Sequence, residues 1–277
     1  MKNEIFISII TLTKNDTKGL FRTLCSILNQ NFNKRIELLI LDGSNKKIYD
    51  SNSILLDKET KKTFPLKKYL IIRHIDMQKK DIRGIYKCMN YGLLKSKGKS
   101  IIFLNGGDSL YDDNTLRVLD LNNFNSSYKK VVSFGQANII SKIGVTWKFP
   151  GSKLKNISLW LKYFEPNHQS MLVSTDIAKS ILFKEDCEIS ADKFWKRDIL
   201  KKVESVKYLD FPVCNFYLDG CSSKRPNIKI LITQFKDKRI SLLRKILIFV
   251  KFLIFPSFYK YLPYFLKIKS KVVDYIF

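Results

Sequence analysis

The sequence predicts an α/β fold in which a mostly parallel central sheet is flanked by helices. Short runs of apolar and β-branched residues recur through the first 110 positions, and each is short enough to be a strand buried on both faces. Segments with apolar residues at helical spacing lie between some of these runs. Such alternation is typical of a doubly wound sheet, because parallel strands need a crossover connection between them.

The first half of the chain supplies the clearest elements. The first predicted strand covers residues 5–12, and the helix after it begins near the candidate caps Asn15, Asp16 and Thr17. The apolar positions of that helix are Leu20, Leu24, Ile27 and Leu28. Further strands are predicted over residues 36–41, 69–75 and 100–104, with a helix over residues 85–96.

The pattern is weaker in the second half. Asp113 is a candidate cap of a short helix, and a longer helix is predicted over residues 192–202. The predicted strands are residues 130–136, 169–173 and 206–209. A composition shift at Lys224-Arg225-Pro226 predicts a boundary between a domain of residues 1–223 and a basic helical tail of residues 224–277.

The charge of the chain indicates an anionic partner. The net charge is +25 over 277 residues, and residues 224–277 hold 13 basic and 2 acidic residues. Nucleic acid, an acidic lipid surface and phosphorylated small molecules all fit this excess. An alternative is that a chain rich in Lys, Ile and Asn reflects the base composition of its genome, so charge alone does not predict DNA binding.

The cysteines and the N-terminus indicate a reducing compartment. The five cysteines are an odd number without a CxxC pair, which favours cytoplasmic thiols over disulfides or a zinc site: Cys25, Cys88, Cys187, Cys214 and Cys221. The apolar run 5–12 is too short for a secretory signal, and Lys14-Asn15-Asp16 follows it instead of a small-residue cleavage site.

Polar residues follow each predicted strand, where parallel sheets bind their ligands. They are Thr11, Thr13, Asn15 and Asp16 after the first strand, Asp42 and Ser44 after the second, Asp76 after the third and Asp108 after the fourth. Carboxylates gathered at one sheet edge repel one another, so a cation or hydrogen-bonding ligand is expected among them. The alternative for each single Asp is a turn or a helix cap.

The stretch Asn105-Gly106-Gly107-Asp108 is the most informative of these. Glycines let the backbone approach a bulky ligand, and the carboxylate can bind Mg²⁺ or Mn²⁺. The alternative is a plain exit from a strand into a turn. Neither GxGxxG nor GxxxxGK[ST] is present, which argues against nicotinamide dehydrogenases and P-loop NTPases.

Several ordered motifs carry a family resemblance. They are SIITLTKN at 8–15, ELLILDGS at 37–44, GIYKCMNYG at 84–92, FLNGGD at 103–108, then His168-Gln169, Ser190-Ala191-Asp192 and Gly220-Cys221-Ser222. In this order they resemble family 2 glycosyltransferases of the GT-A (Rossmann-like) fold, above all bacterial polysaccharide enzymes with signatures near GIYDAMNKG and FLNSGD. The resemblance covers residues 5–223.

The resemblance implies an inverting, nucleotide-sugar-dependent glycosyltransferase. Residues 1–110 would form the nucleotide-sugar-binding half and residues 111–223 the acceptor half. The implied donor contacts are Thr11, Thr13, Asn15, Asp42, Arg83, Asn105 and Gly107, with Asp42 on the base or ribose. Asp108 would hold Mn²⁺ or Mg²⁺, His168 would lie near that ion, and Asp192 would be the general base. A UDP-sugar is the default donor.

The chain also departs from the family pattern. Asn105 replaces the first acid of the metal motif, and Lys87 replaces a typical Asp. An acid expected at position 82 is displaced to Asp81, so Arg83 is the alternative contact to the phosphates. Other assignments stay open: Asp186, and less favourably Glu188, are alternative bases, and a structural role is the alternative for His168. His74, within a strand pattern, is expected to be structural.

The tail is expected to contact a membrane without spanning it. Residues 241–255 are mostly apolar, but Arg244, Lys245 and Lys251 interrupt them. Aromatic residues and lysines alternate after Pro256, which is typical of an interfacial helix pair. A lipid-linked saccharide acceptor at the inner face of the plasma membrane would suit this arrangement. The alternative is a helical cap on the catalytic domain.

Two other functions compete with the enzyme. A nucleic-acid-binding protein fits the charge and the tail aromatics, but no zinc pattern, RNP-like motif or homeodomain-like block supports it, so no nucleic-acid partner is expected. A catalytically inert membrane scaffold of the same fold fits the missing first acid of the metal motif.

Overall fold

The strands of the described residues form one continuous sheet. The computed structural model describes residues 4–62, 65–123, 130–151, 154–186, 191–218 and 262–276, with six isolated positions between 232 and 249. The strands are β1 (Ile7–Thr13), β2 (Ile36–Asp42), β3 (Leu70–Asp76), β4 (Ser100–Phe103), β5 (Ser109–Leu110), β6 (Val131–Ile140), β7 (Thr146–Phe149), β8 (Met171–Ser174) and β9 (Ser205–Tyr217).

The strand order is β3-β2-β1-β4-β8-β6-β9-β5, with β7 paired to β6. The first four strands are parallel neighbours, as predicted. β8 then runs antiparallel to both β4 and β6, while β6 and β9 form a long parallel ladder. The predicted α/β fold with a mostly parallel sheet flanked by helices is confirmed, and the antiparallel pairings belong to its second half.

The helices lie on both faces of this sheet. They are α1 (Thr17–Leu28), α2 (Lys46–Lys61), α3 (Ile85–Lys95), α4 (Thr115–Asn123), α5 (Ile157–Tyr163), α6 (Thr175–Ser180), α7 (Ala191–Lys202) and α8 (Leu262–Ile276). Asp16 is the cap of α1, since its side chain accepts a hydrogen bond from the Gly19 amide at 2.8 Å. The sequence did not predict α2, because only Asn52, Leu56 and Glu59 of that helix are buried.

Side chains from alternate positions of each strand fill a core on either side of the sheet. Ile7 and Ile9 of β1 pack in one layer with Leu24 of α1. Ile10 points the other way and packs with Met89 of α3 and Trp195 of α7. Helices packed on both faces of the sheet therefore fix the strands β1, β2 and β4, and the loops that follow them start from fixed positions.

The last helix of the chain lies against the domain. The Ser270 hydroxyl of α8 donates to the carbonyl oxygen of Lys148 on β7 at 2.8 Å. Tyr264, Phe265 and Ile268 on the same helix are 51%, 52% and 58% exposed. Within the described part of the chain, no helix is long and apolar enough to cross a membrane.

Some predictions fall outside the described residues. The boundary at residues 224–226 does, and so do residues 241–255 apart from four isolated positions. Of the cysteines, Cys187 and Cys221 lie outside as well, whereas Cys25, Cys88 and Cys214 are free thiols, as predicted for them.

Candidate active site

Three loops interlock at the carboxyl ends of the central strands. The Gly106 amide donates to the Leu12 carbonyl at 2.8 Å, which joins the loop after β4 to the end of β1. The Gly43 amide donates to the Thr13 carbonyl at 2.9 Å, and the Asn15 amide donates to Ser44 Oγ at 2.7 Å. The loops after β1, β2 and β4, predicted to line one crevice, are therefore in contact.

Glycine is required in the loop after β4. A Cβ on Gly106 would lie 3.0 Å from the Leu12 carbonyl oxygen, so a side chain there would force the loop and β1 a few tenths of an ångström apart. Gly107 has a φ of 104°, which L side chains rarely adopt. The two glycines bring the backbone against β1 and turn Asp108 back toward the sheet.

Asp108 is buried at the turn that ends this loop. Its Oδ1 accepts a hydrogen bond from the Tyr217 amide at 2.9 Å, and its Oδ2 accepts one from Gln169 Nε2. The Arg22 guanidinium lies 4.1 Å from the Tyr217 ring centroid and donates to the Gly107 carbonyl at 2.8 Å. Contacts from α1, β9 and the turn before β8 thus fix the position of the carboxylate.

Several buried polar atoms at the ends of β1 and β4 and in the turn before β8 have no hydrogen-bond partner among the described residues. These buried atoms are Thr11 Oγ1, Asn105 Oδ1, His168 Nε2 and Gln169 Oε1. A buried acceptor without a donor is costly, so these atoms have room for a bond to a ligand or to ordered water. Most of them are oxygens, the ligand atoms that Mg²⁺ and Mn²⁺ prefer.

The described residues fit a cation shared with a substrate better than a closed protein cage. Among them, no group of three or more His, Cys, Asp or Glu side chains is placed to hold a metal ion. Asp42, Asp76 and Asp108 therefore do not form one three-carboxylate cluster, because β1 separates the end of β2 from the loop after β4. The expectation of a cation or hydrogen-bonding ligand among these strand ends stays a prediction. Mg²⁺ sites often use one or two carboxylates and complete their coordination with substrate phosphates.

Asp42 is held by a network beneath the crevice. It is fully buried, and its carboxylate accepts from the Ser44 amide at 2.9 Å and Asn52 Nδ2 at 2.7 Å. His74 Nε2 lies 3.0 Å from the same carboxylate, which gives His74 the structural role expected of it. Burial alone raises the pKa of Asp42, but the hydrogen bonds from His74, Ser44 and Asn52 outweigh it and lower the pKa.

Other predicted residues lie at the outer rim. Arg83 is 88% exposed in its side chain, and its Nε lies 3.2 Å from Asp81, in the turn that precedes α3. Asp76 Oδ1 accepts a hydrogen bond from the Lys79 amide at 2.9 Å. This contact stabilises a turn, which is the alternative role given above for a single Asp. Asp186 is exposed in a turn, and Glu188 lies outside the described residues.

Asp192 begins α7 within a cluster of polar side chains. Its own side chain is 28% exposed. The Tyr86 hydroxyl donates to Asp192 Oδ1 at 3.4 Å, and both Lys196 Nζ and His168 Nδ1 lie 3.7 Å from Oδ2. Lys196 is buried and also donates to the Pro166 carbonyl at 2.9 Å. The carboxylate is therefore accessible on one side and held by a cation on the other.

The electrostatics of this cluster keep Asp192 ionised. Burial alone raises its pKa, but Lys196 and then His168 outweigh burial and lower it. Burial lowers the pKa of His168 to about 4, so the imidazole is neutral at neutral pH. Lys196 is thus the partner that stabilises the Asp192 anion at neutral pH, which suits a general base.

One turn connects the two carboxylates. His168 and Gln169 are consecutive residues of the 3-10 turn His168–Ser170, and they contact Asp192 and Asp108 respectively. The Asn167 side chain accepts from the Gln169 amide at 2.9 Å and fixes the start of the turn. The sequence indicated His168, Gln169 and Asp192 singly, but it did not indicate Tyr86 or Lys196 as parts of the site. The i,i+4 spacing of Asp192 and Lys196 is the one signal that points to Lys196.

Comparison with solved structures shows the fold class. The chain is similar to S. aureus TarS 1–349 in complex with UDP-GlcNAc, with a TM-score of 0.60 and 18% identity over 91% of this chain and 73% of that chain. A longer TarS chain gives a TM-score of 0.58 at 18% identity, and only 44% of it is covered, so this chain spans less than half of that protein.

A second similar structure is the mannosyltransferase PcManGT from Pyrobaculum calidifontis in complex with GDP-Man and Mn²⁺. Its TM-score is 0.53 at 11% identity, over 83% of this chain and 61% of that chain. No protein-family profile and no curated protein sequence matches the chain. The predicted α/β architecture is therefore the one that these glycosyltransferases share, while membership of family 2 stays a prediction.

Proposed function

We propose that the chain is an inverting glycosyltransferase that moves a sugar from a nucleotide-sugar donor to a saccharide acceptor. The observation that supports this most is the pair of carboxylates on either side of one turn. Asp108 lies in the glycine loop after β4, and Asp192 lies with Lys196 at the start of α7. A displacement with inversion needs groups of this kind on opposite sides of the reacting carbon, one at the leaving group and one at the nucleophile.

Each carboxylate then has its own task. Asp192, kept ionised beside Lys196, accepts the proton from an acceptor hydroxyl as that oxygen attacks C1 of the sugar. Tyr86 holds the second oxygen of the carboxylate and so orients it. The loops after β1, β2 and β4 bind the nucleotide, with Thr11, Thr13 and Asn15 at the end of β1.

Asp108, together with the amide oxygens near it, is the proposed anchor of Mn²⁺ or Mg²⁺. When bound, the cation offsets the negative charge that develops on the nucleoside diphosphate as it leaves. The UDP-GlcNAc complex of TarS and the GDP-Man and Mn²⁺ complex of PcManGT support a nucleotide-sugar donor and a divalent ion. A UDP-sugar remains the default donor for this chain.

We further propose that the tail docks on the inner face of the plasma membrane, where the acceptor is a lipid-linked saccharide of a bacterial surface polysaccharide. Tyr264, Phe265 and Ile268 of α8 are exposed, and Lys267, Lys269 and Lys271 lie among them. An exposed apolar and basic helix surface binds anionic lipid through both burial and charge.

The donor proposal is tested by thermal unfolding with a panel of sugar nucleotides. UDP-, GDP- and dTDP-sugars are compared with and without Mn²⁺, and at least one is expected to raise the midpoint in a Mn²⁺-dependent way. Binding to duplex DNA that weakens steeply with salt, with no response to any sugar nucleotide, would instead support the nucleic-acid alternative.

The membrane proposal is tested by sedimentation with vesicles containing anionic lipid. Tyr264→Glu with Ile268→Glu is expected to reduce the bound fraction severalfold. Leu121→Glu is the matched control, because Leu121 is 65% exposed on α4. Equal binding of all three proteins, or equal binding to neutral vesicles, contradicts an electrostatic docking surface on α8.

A further inference from the structure

Gln169 holds an unusual position between the loop after β4 and the turn before β8. Its side chain is 1% exposed. The amide nitrogen donates to Asp108 Oδ2, while the amide oxygen has no hydrogen-bond partner among the described residues. Half of a buried amide is therefore satisfied by the carboxylate, and the other half is left without a donor. Asn105 Oδ1, on the loop of Asp108, is in the same condition.

We propose that Gln169 is an exchangeable ligand of the cation site at Asp108. In the cation-free protein its N–H group holds the carboxylate, and in the loaded protein its amide is reversed so that Oε1 coordinates the ion. This proposal rests on the proposed function, since it assigns a residue to the cation of that site. It adds a ligand that replaces the missing acid at position 105.

The physical reason is the polarity of the amide group. An N–H directed at a metal ion is repelled by it, whereas a carbonyl oxygen is a good ligand for Mg²⁺ or Mn²⁺. Rotation by half a turn about the last side-chain bond exchanges the two atoms without moving the backbone, which the Asn167 cap holds in place. The same rotation gives Oε1 the ion as its partner and moves the N–H group into the place that Oε1 held, so binding of the ion replaces the hydrogen bond to Asp108 Oδ2.

A structural clamp is the competing role for Gln169, and it predicts the opposite response. If Gln169 only donates to Asp108, its N–H competes with the cation for the same oxygen. Removing the side chain would then leave Mn²⁺ affinity unchanged or increase it. If Oε1 is a ligand, affinity depends on the oxygen and not on the N–H.

Two substitutions in the full-length protein separate these roles. Gln169→Leu removes both amide atoms, while Gln169→Glu keeps an oxygen at that position and removes the N–H. Gln136→Leu is the matched control, because Gln136 on β6 is also buried and also donates to a carboxylate. Its acceptor is Asp210, at 3.4 Å. Mn²⁺ binding is measured by the loss of the free-ion signal in electron paramagnetic resonance, and folding is checked by thermal unfolding.

The expected order of Mn²⁺ affinity is set by the oxygen. Gln169→Leu is expected to weaken binding about tenfold or more, as loss of a supporting group at a metal site does, while Gln169→Glu binds at least as tightly as wild type. Gln136→Leu is expected to match wild type. Gln169→Leu binding as tightly as wild type, or Gln169→Glu binding as weakly as Gln169→Leu, overturns the proposal.

The wild-type protein distinguishes this failure from failure of the proposed function. If wild type binds no Mn²⁺ but still transfers sugar with EDTA present, the inference about Gln169 is wrong and the glycosyltransferase proposal stands. If Mn²⁺ binds and follows the expected order, but no sugar nucleotide stabilises the protein, the ligand assignment stands and the proposed function is wrong.

Discussion

Replacement of Asp192 by Asn tests the assignment of the general base. The change keeps the size of the side chain and one oxygen for the Tyr86 hydroxyl, but it removes the negative charge that accepts a proton. The donor loops after β1, β2 and β4 do not include Asp192. Transfer is therefore expected to fail while donor binding survives.

The magnitude follows from the surroundings of the carboxylate. General-base catalysis contributes about 10² to 10⁴ in rate, which is about 3 to 5 kcal/mol of activation free energy. The attraction to Lys196 at 3.7 Å is about 4 kcal/mol at an effective dielectric constant near 20, before desolvation offsets most of it. Because Lys196 keeps its hydrogen bond to Pro166, we expect Asp192→Asn to lower the free energy of unfolding by about 1 to 2 kcal/mol.

The assay compares kcat for transfer with donor affinity and with the free energy of unfolding in urea. Asp192→Asn is expected to lower kcat by about 10³ with a donor affinity close to that of wild type. Asp186→Asn is the matched control, because Asp186 is exposed in the turn before α7 and was the alternative base. Near wild-type turnover of Asp192→Asn, or a large loss in Asp186→Asn alone, refutes the assignment.

Three further predictions concern the supports of the site. The pKa of His168 is about 4 in the folded protein against 6.5 for an exposed His, so between these pH values only the unfolded chain takes up the proton. The free energy of unfolding should therefore fall by about 3 kcal/mol as pH drops from 6.5 to 4. In urea unfolding with EDTA, His168→Gln should lose less of its free energy of unfolding over this pH range than wild type. Gly107→Ala forces a side chain at a φ of 104° and should lower the free energy of unfolding by about 1 to 3 kcal/mol. Gly43→Ala should change it little, because the added Cβ would meet no atom closer than 3.9 Å. Asp42→Asn places an amide against the donors of the buried network and should cost about 2 kcal/mol in urea; a fall in donor affinity without that cost would instead indicate direct contact with the nucleotide.

The first half of the fold could be predicted because its elements bury continuous apolar runs. β1, β2 and β4 are buried almost throughout, so composition alone marks them as strands of a parallel sheet. α1 could be predicted for a related reason, since one face of it is buried and Asp16 caps it. The glycines of the loop after β4 were interpreted as sites of close backbone approach, and Gly106 against Leu12 shows that contact.

The sequence did not predict α2 because that helix is mostly in water. Its few buried positions include Asn52, whose partner Asp42 belongs to β2 and cannot be seen in a local pattern. β9 extends well beyond the predicted residues 206–209, because a register shift opposite Gly135 and Gln136 interrupts its apolar alternation. Tertiary pairing, not local propensity, decides both elements.

The candidate site shows the same limit for side chains. Residue type and strand position single out Asp108, and the family resemblance singles out Asp192, but neither predicts what surrounds each carboxylate. Lys196 lies beside Asp192 because helical spacing places it there, and it is buried because the Pro166 carbonyl faces the same point. A lysine in a chain with so many lysines gives no signal by composition, so only the folded chain distinguishes it.

The turn His168–Ser170 contacts two elements that are distant in sequence, the loop after β4 and the start of α7. Its backbone is fixed at both ends, since Asn167 Oδ1 accepts from the Gln169 amide and the Ser170 hydroxyl donates to the Asn167 carbonyl at 3.0 Å. Adjacent side chains of this turn reach carboxylates that are 84 positions apart in sequence, Asp108 and Asp192. The spacing between the proposed cation anchor and the proposed base is therefore set largely by rigid backbone, and preorganised spacing of this kind is what a single in-line displacement requires.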